Sequence, residues 1–364
     1  MLSSPESAAA DEGRIEARPK LLRMTHHTIC YHSSSMRPKV ALLYVGGSIG
    51  MIMNQKTGRI DPVESLSEIH RFLPELQKEV ALEFFPLANV GSSDVTPALW
   101  TEIAKTIEKL YDQFEGFVVV HGTNTMSYTA AALSFALQGL SKPVVLTGAL
   151  LPLNDLAGDA RQNLVYAIRA ALLDIAEVCI VLGPRVLRGS RAKKVHESVH
   201  ETFKSTRYPP LARFTRQFEM HSWHFVRRKR ALSCKPTFDA NVSLLTLHPG
   251  IPEGLLNAVL NARLHGIVMR AYGPGMIPEF LIPWIQKLTE MNIPIVMTSQ
   301  VLNSHVDLQK YQRQLLLEKL GIISGKDMTY ECALVKLMWA LTQSQNIEKL
   351  QEIMEKNLVG ELDE

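Results

Sequence analysis

Apolar residues along this chain come in short unbroken runs separated by stretches with helical spacing. The runs are Val40–Val45, Val80–Pro86, Phe117–His121, Val144–Gly148 and Val178–Gly183, and further on Ser243–Leu247, Gly266–Met269 and Pro294–Thr298. Each run reads as a strand, and the first, Val40–Val45, bounded by glycines, fits one buried on both faces. Between them the spacing predicts helices over Leu66–Phe72, Pro97–Tyr111, Thr125–Leu137, Asp159–Ile175, 253–263, 278–291, Leu308–Leu320, Met328–Leu341 and Ile347–Lys356. Pro97 suits a first helical turn, and Asp327 stands where it would cap the helix that follows it. Strands alternating with helices predict parallel α/β architecture.

The first strand carries the most informative stretch, VALLYVGGSIGM at Val40–Met51. Gly46 and Gly47 allow a sharp turn and a close approach to the main chain. They present Ser48 at the strand's carboxyl end, where open α/β sheets bind ligands. A phosphate loop requires a helix directly after the glycines, and a P-loop also a Lys. The nucleophile elbow G-x-S-x-G likewise requires strand–turn–helix. Here a polar segment with Gly58 and Pro62 follows, which disfavours both. What remains is a nucleophilic Ser48 under a hairpin lid, or a plain glycine turn.

Composition narrows the class. With 364 residues, 46% hydrophobic and 21% charged, the chain has material for two cored domains. A net charge of +3 is too small to imply nucleic acid. Cys30, Cys179, Cys234 and Cys332 are scattered without metal spacing, which points to reduced thiols, a cytoplasmic setting and no metal. No apolar run is long enough to span a membrane. Residues 1–38 lack a signal-peptide core and read as a disordered extension. Domains are expected at 39–225 and 242–364. Residues 226–241 are the linker within a region, 201–240, of little periodicity that reads as linker with room for a hairpin and includes Arg227-Arg228-Lys229-Arg230. That basic run reads as a solvated segment, because no stacking platform or basic helix accompanies it.

Polar groups follow four different strands of the first domain: Ser48, Ser92-Ser93-Asp94, Thr123-Asn124, and Lys194 in RGSRAKKV. In a parallel sheet these loops gather at one edge. A hydroxyl nucleophile needs a base. Lysine serves when nearby positive charge or burial favours its neutral form, and Arg191 and Lys193 are the expected source of that charge. Thr123 and Asn124 precede a helix, whose free N–H groups suit a carboxylate or an oxyanion. His121, at a strand end, reads as structural.

The segments YVGGSIGM, NVGSSDVTPALW, FVVVHGTNTMSYTAAALSFALQGLSKPVVLTGA, DARQNL, LRGSRAKKV, LHPGIP and GIISGKDMTYECALVKL run in order from Tyr44 to Leu337. Together they resemble the L-asparaginase/glutaminase family, most nearly its cytoplasmic type I branch. The resemblance implies two α/β domains, a larger N-terminal parallel-sheet domain and a smaller C-terminal flavodoxin-like one. It also implies a flexible lid, homodimers or dimers of dimers, and a small amino acid or amide as partner, with neither nucleic acid nor membrane. The implied chemistry is hydrolysis of asparagine to aspartate and ammonia through an acyl-enzyme, without cofactor. By the same resemblance Ser48 falls on the nucleophile, Thr123 on a second catalytic hydroxyl, Lys194 on the base, and Ser92 and Ser93 on the loop that holds the substrate carboxylate.

Several positions depart from the family pattern. Asn124 replaces the Asp that holds the lysine and pairs with the substrate ammonium. Arg59 replaces a lid Tyr, Val45 a small hydroxyl residue, and Leu150 a Gln. Loss of a charge-assisted hydrogen bond at Asn124 is worth about 1.5–3 kcal/mol. Two expectations follow: an amidohydrolase with weakened or redirected activity, or a non-catalytic relative that binds a small acid or amide. The related amidase subunit of Glu-tRNA(Gln) amidotransferase carries a further domain ahead of this core, for which residues 1–38 are too few, and is expected to be the poorer match. Val301 stands in place of a Cys, so no allosteric site is carried over.

Overall fold

A computed structural model describes residues 37–53, 60–62, 73–74, 76–197 and 201–363. The N-terminal extension up to residue 36, the helix expected at Leu66–Phe72 and the lid residue Arg59 lie outside the described residues.

Among the described residues the N-terminal part builds one eight-stranded sheet and three two-stranded ones. In chain order its strands and neighbours are β1 (Lys39–Tyr44), the hairpin β2 (Met51–Met53) and β3 (Ile60–Pro62), β4 (Ala81–Pro86), β5 (Gly116–Val120), the short β6 (Leu137–Gln138), β7 (Val144–Thr147), β8 (Val178–Val181), β9 (Arg185–Arg188), β10 (Ala192–Lys194), β11 (Phe203–Ser205), β12 (Ala212–Phe214), β13 (Phe218–Met220) and the short β14 (Ser233–Cys234). The helices are α1 (Pro97–Leu110), α2 (Met126–Ala136) and α3 (Ala160–Ala170). Among the described residues the main sheet runs β13-β12-β9-β8-β7-β5-β1-β4, and the two-stranded sheets are β2-β3, β6-β14 and β10-β11. Strands β4, β1, β5, β7 and β8 are parallel, and β9, β12 and β13 add antiparallel ribbons at one edge. The chain steps from β1 to β4 on one side, then crosses back to β5 on the other. The connection after β1 and the one after β5, which goes on to β7, therefore leave in opposite directions, and between these two neighbouring strands lies the position at which doubly wound sheets open a ligand crevice.

Strand β1 is apolar from Val40 onward because both its faces are covered. Val40, Leu42 and Tyr44 pack with Leu164 and Ile168 of α3 on one side, and Ala41 and Leu43 pack with Ile103 and Ile107 of α1 on the other. Helix α2 is buried nearly all round. Its small residues Ala130, Ala131 and Ala132 let it lie between the main sheet and the C-terminal part.

The C-terminal part is a parallel four-stranded sheet of β15 (Val242–Thr246), β16 (Gly266–Ala271), β17 (Ile295–Ser299) and β18 (Ile323–Ser324), in sequential order. Its helices are α4 (Glu253–Asn261), α5 (Ile282–Glu290), α6 (Gln312–Lys319), α7 (Tyr330–Ala340) and α8 (Ile347–Glu355). Helix α7 packs on α2, with the Phe135 and Trp339 rings stacked 5.9 Å apart.

Three expectations are corrected. The aperiodic stretch 201–240 is not linker throughout, because Phe203–Ser205 pairs with β10 and Ala212–Met220 extends the main sheet. Its strands are too short to show a period. Arg227 is not solvated: it donates to the Leu173 and Ala171 carbonyls, while Arg228, Lys229 and Arg230 are exposed. The cap of α7 is Thr329, whose hydroxyl accepts from the Cys332 N–H. Asp327 turns away to meet Arg191, because a buried guanidinium is the more demanding partner.

The C-terminal tail is pinned by Lys336 and Glu361, both fully buried, 2.6 Å apart. Lys336 also donates to the Met354 and Lys356 carbonyls, and Glu361 accepts from the Leu358 and Val359 N–H groups. Removing one member strands the other charge in the core. Lys336→Met is therefore expected to lower stability by about 3–5 kcal/mol. The Lys336→Met/Glu361→Leu pair should recover more than half of this, as read by the urea midpoint.

Candidate active site

Three loops meet beyond the carboxyl ends of β1, β4 and β5, and glycines bring them into backbone contact. Gly46 (φ +137°) and Gly47 (φ +91°) adopt conformations that other residues resist. A Cβ on Gly46 would stand 2.2 Å from the Val90 carbonyl oxygen, and one on Gly47 would stand 2.6 Å from the Gly122 nitrogen. A Cβ on Gly122 would meet Ser92 Cβ at 2.8 Å. The contact between Gly47 and Gly122 lies one residue before Ser48 and one before Thr123. On the other side of Ser48, Tyr44 fixes the turn, its hydroxyl 3.2 Å from the Gly50 carbonyl and 2.9 Å from Asn89 Oδ1.

Lys194, at the end of β10, reaches into this edge. Its Nζ lies 2.9 Å from Thr123 Oγ1, 2.7 Å from Asn124 Oδ1 and 2.8 Å from a Glu197 carboxylate oxygen. The Asn124 N–H donates to Ser92 Oγ at 3.2 Å, and the Thr125 hydroxyl donates to the Ser92 carbonyl at 2.6 Å. The structure thus joins Lys194, Thr123, Asn124 and Ser92 in one network. Asn124 is spent on Lys194 rather than on capping α2, and Ser92 knits two loops together. Ser93 stands exposed in a 3₁₀ turn (Ser92–Asp94) beside it. Ser48 has no hydrogen-bond partner among the described residues, and the hydroxyl that Lys194 meets is that of Thr123.

The positive charge expected to act on Lys194 is directed elsewhere. Lys193 pairs with Glu331 at 2.5 Å and lies 3.9 Å from the centre of the Tyr330 ring. Arg191 is buried, pairing with Asp327 at 2.6 Å and Asp363 at 2.9 Å and donating to the Gly360 carbonyl. Burial pushes the Asp327 carboxyl up, but Arg191 and the Asp363 N–H outweigh it and hold it below the usual carboxylate range. Alternation along β10 explains this arrangement, since adjacent side chains leave a strand on opposite faces.

His121 is structural, as its place at a strand end suggested. It is fully buried. Its Nδ1 lies 2.6 Å from the Gly122 carbonyl and its Nε2 lies 3.0 Å from Thr129 Oγ1, which accepts from Trp100 Nε1. With Nδ1 protonated, Thr129 donates to Nε2, and every group in the chain is satisfied only if the ring is neutral. Burial pushes the imidazole down to about 4, against a smaller opposing pull from the Gly122 carbonyl.

The DARQNL motif proves to be scaffolding for neighbouring loops. The Asp159 carboxylate accepts from the Leu150 N–H, and Asn163 bridges the Gly148 carbonyl and the Gly183 N–H. Glu197 was missed in the sequence. An acid three residues beyond a lysine is an ordinary pattern, and only its nearness to Asn124 in space gives it interest.

Close-packed glycine loops, a hydroxyl–lysine pair and an amide thus gather at the switch point of a parallel sheet, where such sheets bind small ligands. The comparisons supply the class. The family model "Asparaginase, N-terminal" matches residues 39–225, and "Glutaminase/Asparaginase C-terminal domain" matches residues 241–354. The chain belongs to the asparaginase family. It is 32% identical to L-asparaginase 1 of Escherichia coli, over 90% of this chain and 98% of that protein. It is also 32% identical to a Glutamyl-tRNA(Gln) amidotransferase subunit of Pyrococcus abyssi, over 96% of this chain and 83% of that one. The amidotransferase subunit is thus no poorer a match than the asparaginase. Among solved structures, the thermostable L-asparaginase from Thermococcus kodakarensis superposes with a TM-score of 0.84 at 31% identity, over 90% of this chain and 99% of the other.

The His121 environment gives a pH prediction. Its folded pKa lies below the unfolded value of 6.5, so the unfolded chain binds the extra proton as pH falls from 6.5 to 4. The stability that depends on a neutral ring is intact above pH 6.5. Folding should weaken by about 3 kcal/mol by pH 4 through this residue alone. Urea unfolding across this range should show that component, and His121→Gln should lack it.

Proposed function

We propose that this chain is an amidohydrolase that converts L-asparagine to L-aspartate and ammonia. The observation that carries the reading is the Lys194–Thr123–Asn124 network beside the Gly46-Gly47-Ser48 loop at the switch point. Family membership supplies the reaction class, and the likeness to L-asparaginase 1 supports asparagine as the substrate.

In this reading Ser48 attacks the side-chain amide carbon. The new C–O bond forms as the carbonyl π pair moves to oxygen, and the hydroxyl proton passes to the amide nitrogen as ammonia leaves. Water then attacks the acyl-enzyme ester as its proton passes through Thr123 to Lys194; the ester bond to Ser48 breaks, and Lys194 returns the proton through Thr123 to the leaving Ser48 oxygen. Ser92 and Ser93 border the place for the substrate's carboxylate, and Asn124 presents an amide oxygen to its ammonium. Arg59 would close from the lid. The reaction uses no metal or cofactor. The proposal includes a homodimer or dimer of dimers acting in the cytoplasm, a setting that the likeness to a "Probable Cytoplasmic L-asparaginase" from Campylobacter jejuni favours. No described helix is long and apolar enough to cross a membrane.

One observation favours a second reading. Asn124 is neutral, so the site lacks an acid at the position that would meet an ammonium. This suits a catalytically degenerate relative that binds a small acid or amide. The likeness to the amidotransferase subunit favours amide chemistry without fixing free asparagine as the substrate.

Ammonia release from L-asparagine by the purified chain tests the proposal. Release is expected, with Ser48→Ala and Lys194→Met each lowering kcat by about 10³ or more. Asn124→Asp is expected to raise kcat roughly tenfold by restoring a charge-assisted hydrogen bond. No release by the natural chain, with stabilisation by aspartate against heat, would favour the binding protein instead.

A further inference from the structure

We propose that Glu197 is the positioning carboxylate for Lys194, supplying from the lysine's own loop the negative charge that Asn124 lacks. The proposal rests on the reading of Lys194 as the base. Its geometric basis is the set of three oxygens around one nitrogen: Thr123 Oγ1 at 2.9 Å, Asn124 Oδ1 at 2.7 Å and Glu197 Oε2 at 2.8 Å.

These oxygens are not equivalent. An amide oxygen and a carboxylate only accept, whereas a hydroxyl both donates and accepts. A neutral lysine amine has two N–H bonds and one lone pair. Asn124 takes one N–H bond, the Glu197 carboxylate stands 2.8 Å from the nitrogen as its ion-pair partner, and the lone pair is left for Thr123, the one neighbour with a proton to give. The two acceptor groups therefore favour the orientation in which the base faces its hydroxyl. When the proton crosses from oxygen to nitrogen, the amine becomes an ammonium with oxygens of three different residues around it. Asn124 can meet that new charge only with a dipole. Glu197 meets it with a full charge, as the buried acid of a serine-protease triad does for its imidazolium.

Other charges nearby do not serve. Lys193 is paired with Glu331, and Arg191 with Asp327 and Asp363. Among the described residues Glu197 is the charged group that pairs with Lys194. It is also 79% exposed while Lys194 is 15% exposed, so solvent screens the pair and the effect on rate is moderate.

The test is ammonia release by four full-length proteins: the natural chain, Glu197→Gln, Asn124→Asp and the double variant. Glu197→Gln is expected to lower kcat about fivefold with KM changed less than twofold. Glu197→Asp should recover part of the loss. In the Asn124→Asp background the same Glu197→Gln change should cost less than twofold, because an acid at 124 makes the second carboxylate redundant. A natural chain that works while Glu197→Gln equals it overturns the role of Glu197 and leaves the hydrolase reading standing. Equal losses in both backgrounds overturn it as well, since they show no substitution of one charge for the other. An inactive natural chain revived by Asn124→Asp shows that Glu197 does not compensate. Four inactive proteins overturn both readings. Exposed Glu197 is not needed for folding, and unchanged melting temperatures would confirm that the rates compare like with like.

Discussion

The structure depends on a buried guanidinium. Arg191 sits between the two parts of the chain with its N–H groups directed to Asp327, Asp363 and the Gly360 carbonyl. A lone arginine at such a depth would cost several kcal/mol, and breaking one of its pairs would leave an uncompensated charge. Few alternative arrangements of the C-terminal part satisfy it. Lys193, two residues on, repeats the constraint through Glu331. The three-residue strand β10 is thereby anchored to α7 and the tail before its last side chain, Lys194, turns to Thr123 and Asn124. A fixed backbone matters for such a contact, because a lysine side chain has four rotatable bonds and about 2 kcal/mol of rotamer entropy to lose.

The same anchoring couples the tail to the site. Glu361 pairs with Lys336, Gly360 and Asp363 meet Arg191, and Val359 and Leu358 pack beside α7 and α8. The apolar contact of α2 with α7 supplies area, and the buried ions supply register. The functional edge is consequently a property of both sheets, although its hydroxyls and its lysine all come from the first.

On the other side of the site the constraint is steric. Three backbones approach so closely at Gly46, Gly47 and Gly122 that a methyl group at any of them would collide with a neighbour. The loop carrying Ser48 is held by main-chain contact and by the Tyr44 hydroxyl. Ser48 itself remains free to meet a substrate. Closely packed loops thus carry a Ser48 hydroxyl that has no hydrogen-bond partner among the described residues, while Lys194 is held by Thr123, Asn124 and Glu197.

The sequence alone determined the class, since short apolar runs alternating with helical spacing predict a parallel α/β sheet. It also determined that Ser48, Ser92 and Thr123 stand past strand ends, because each follows such a run, whereas Lys194 lies within β10. It allowed a hairpin within 201–240 but did not locate Ala212–Met220 as strand of the main sheet, because edge ribbons of three residues are too short to show a period. It misassigned Asp327, whose pattern suits a cap but whose charge was needed 136 residues away by Arg191. It also could not tell that Lys193 and Arg191 face away from Lys194, or that Glu197 faces toward it. Those outcomes depend on which face of β10 meets the second domain, and long-range ion pairing is decided by three-dimensional proximity and desolvation, which no local pattern encodes.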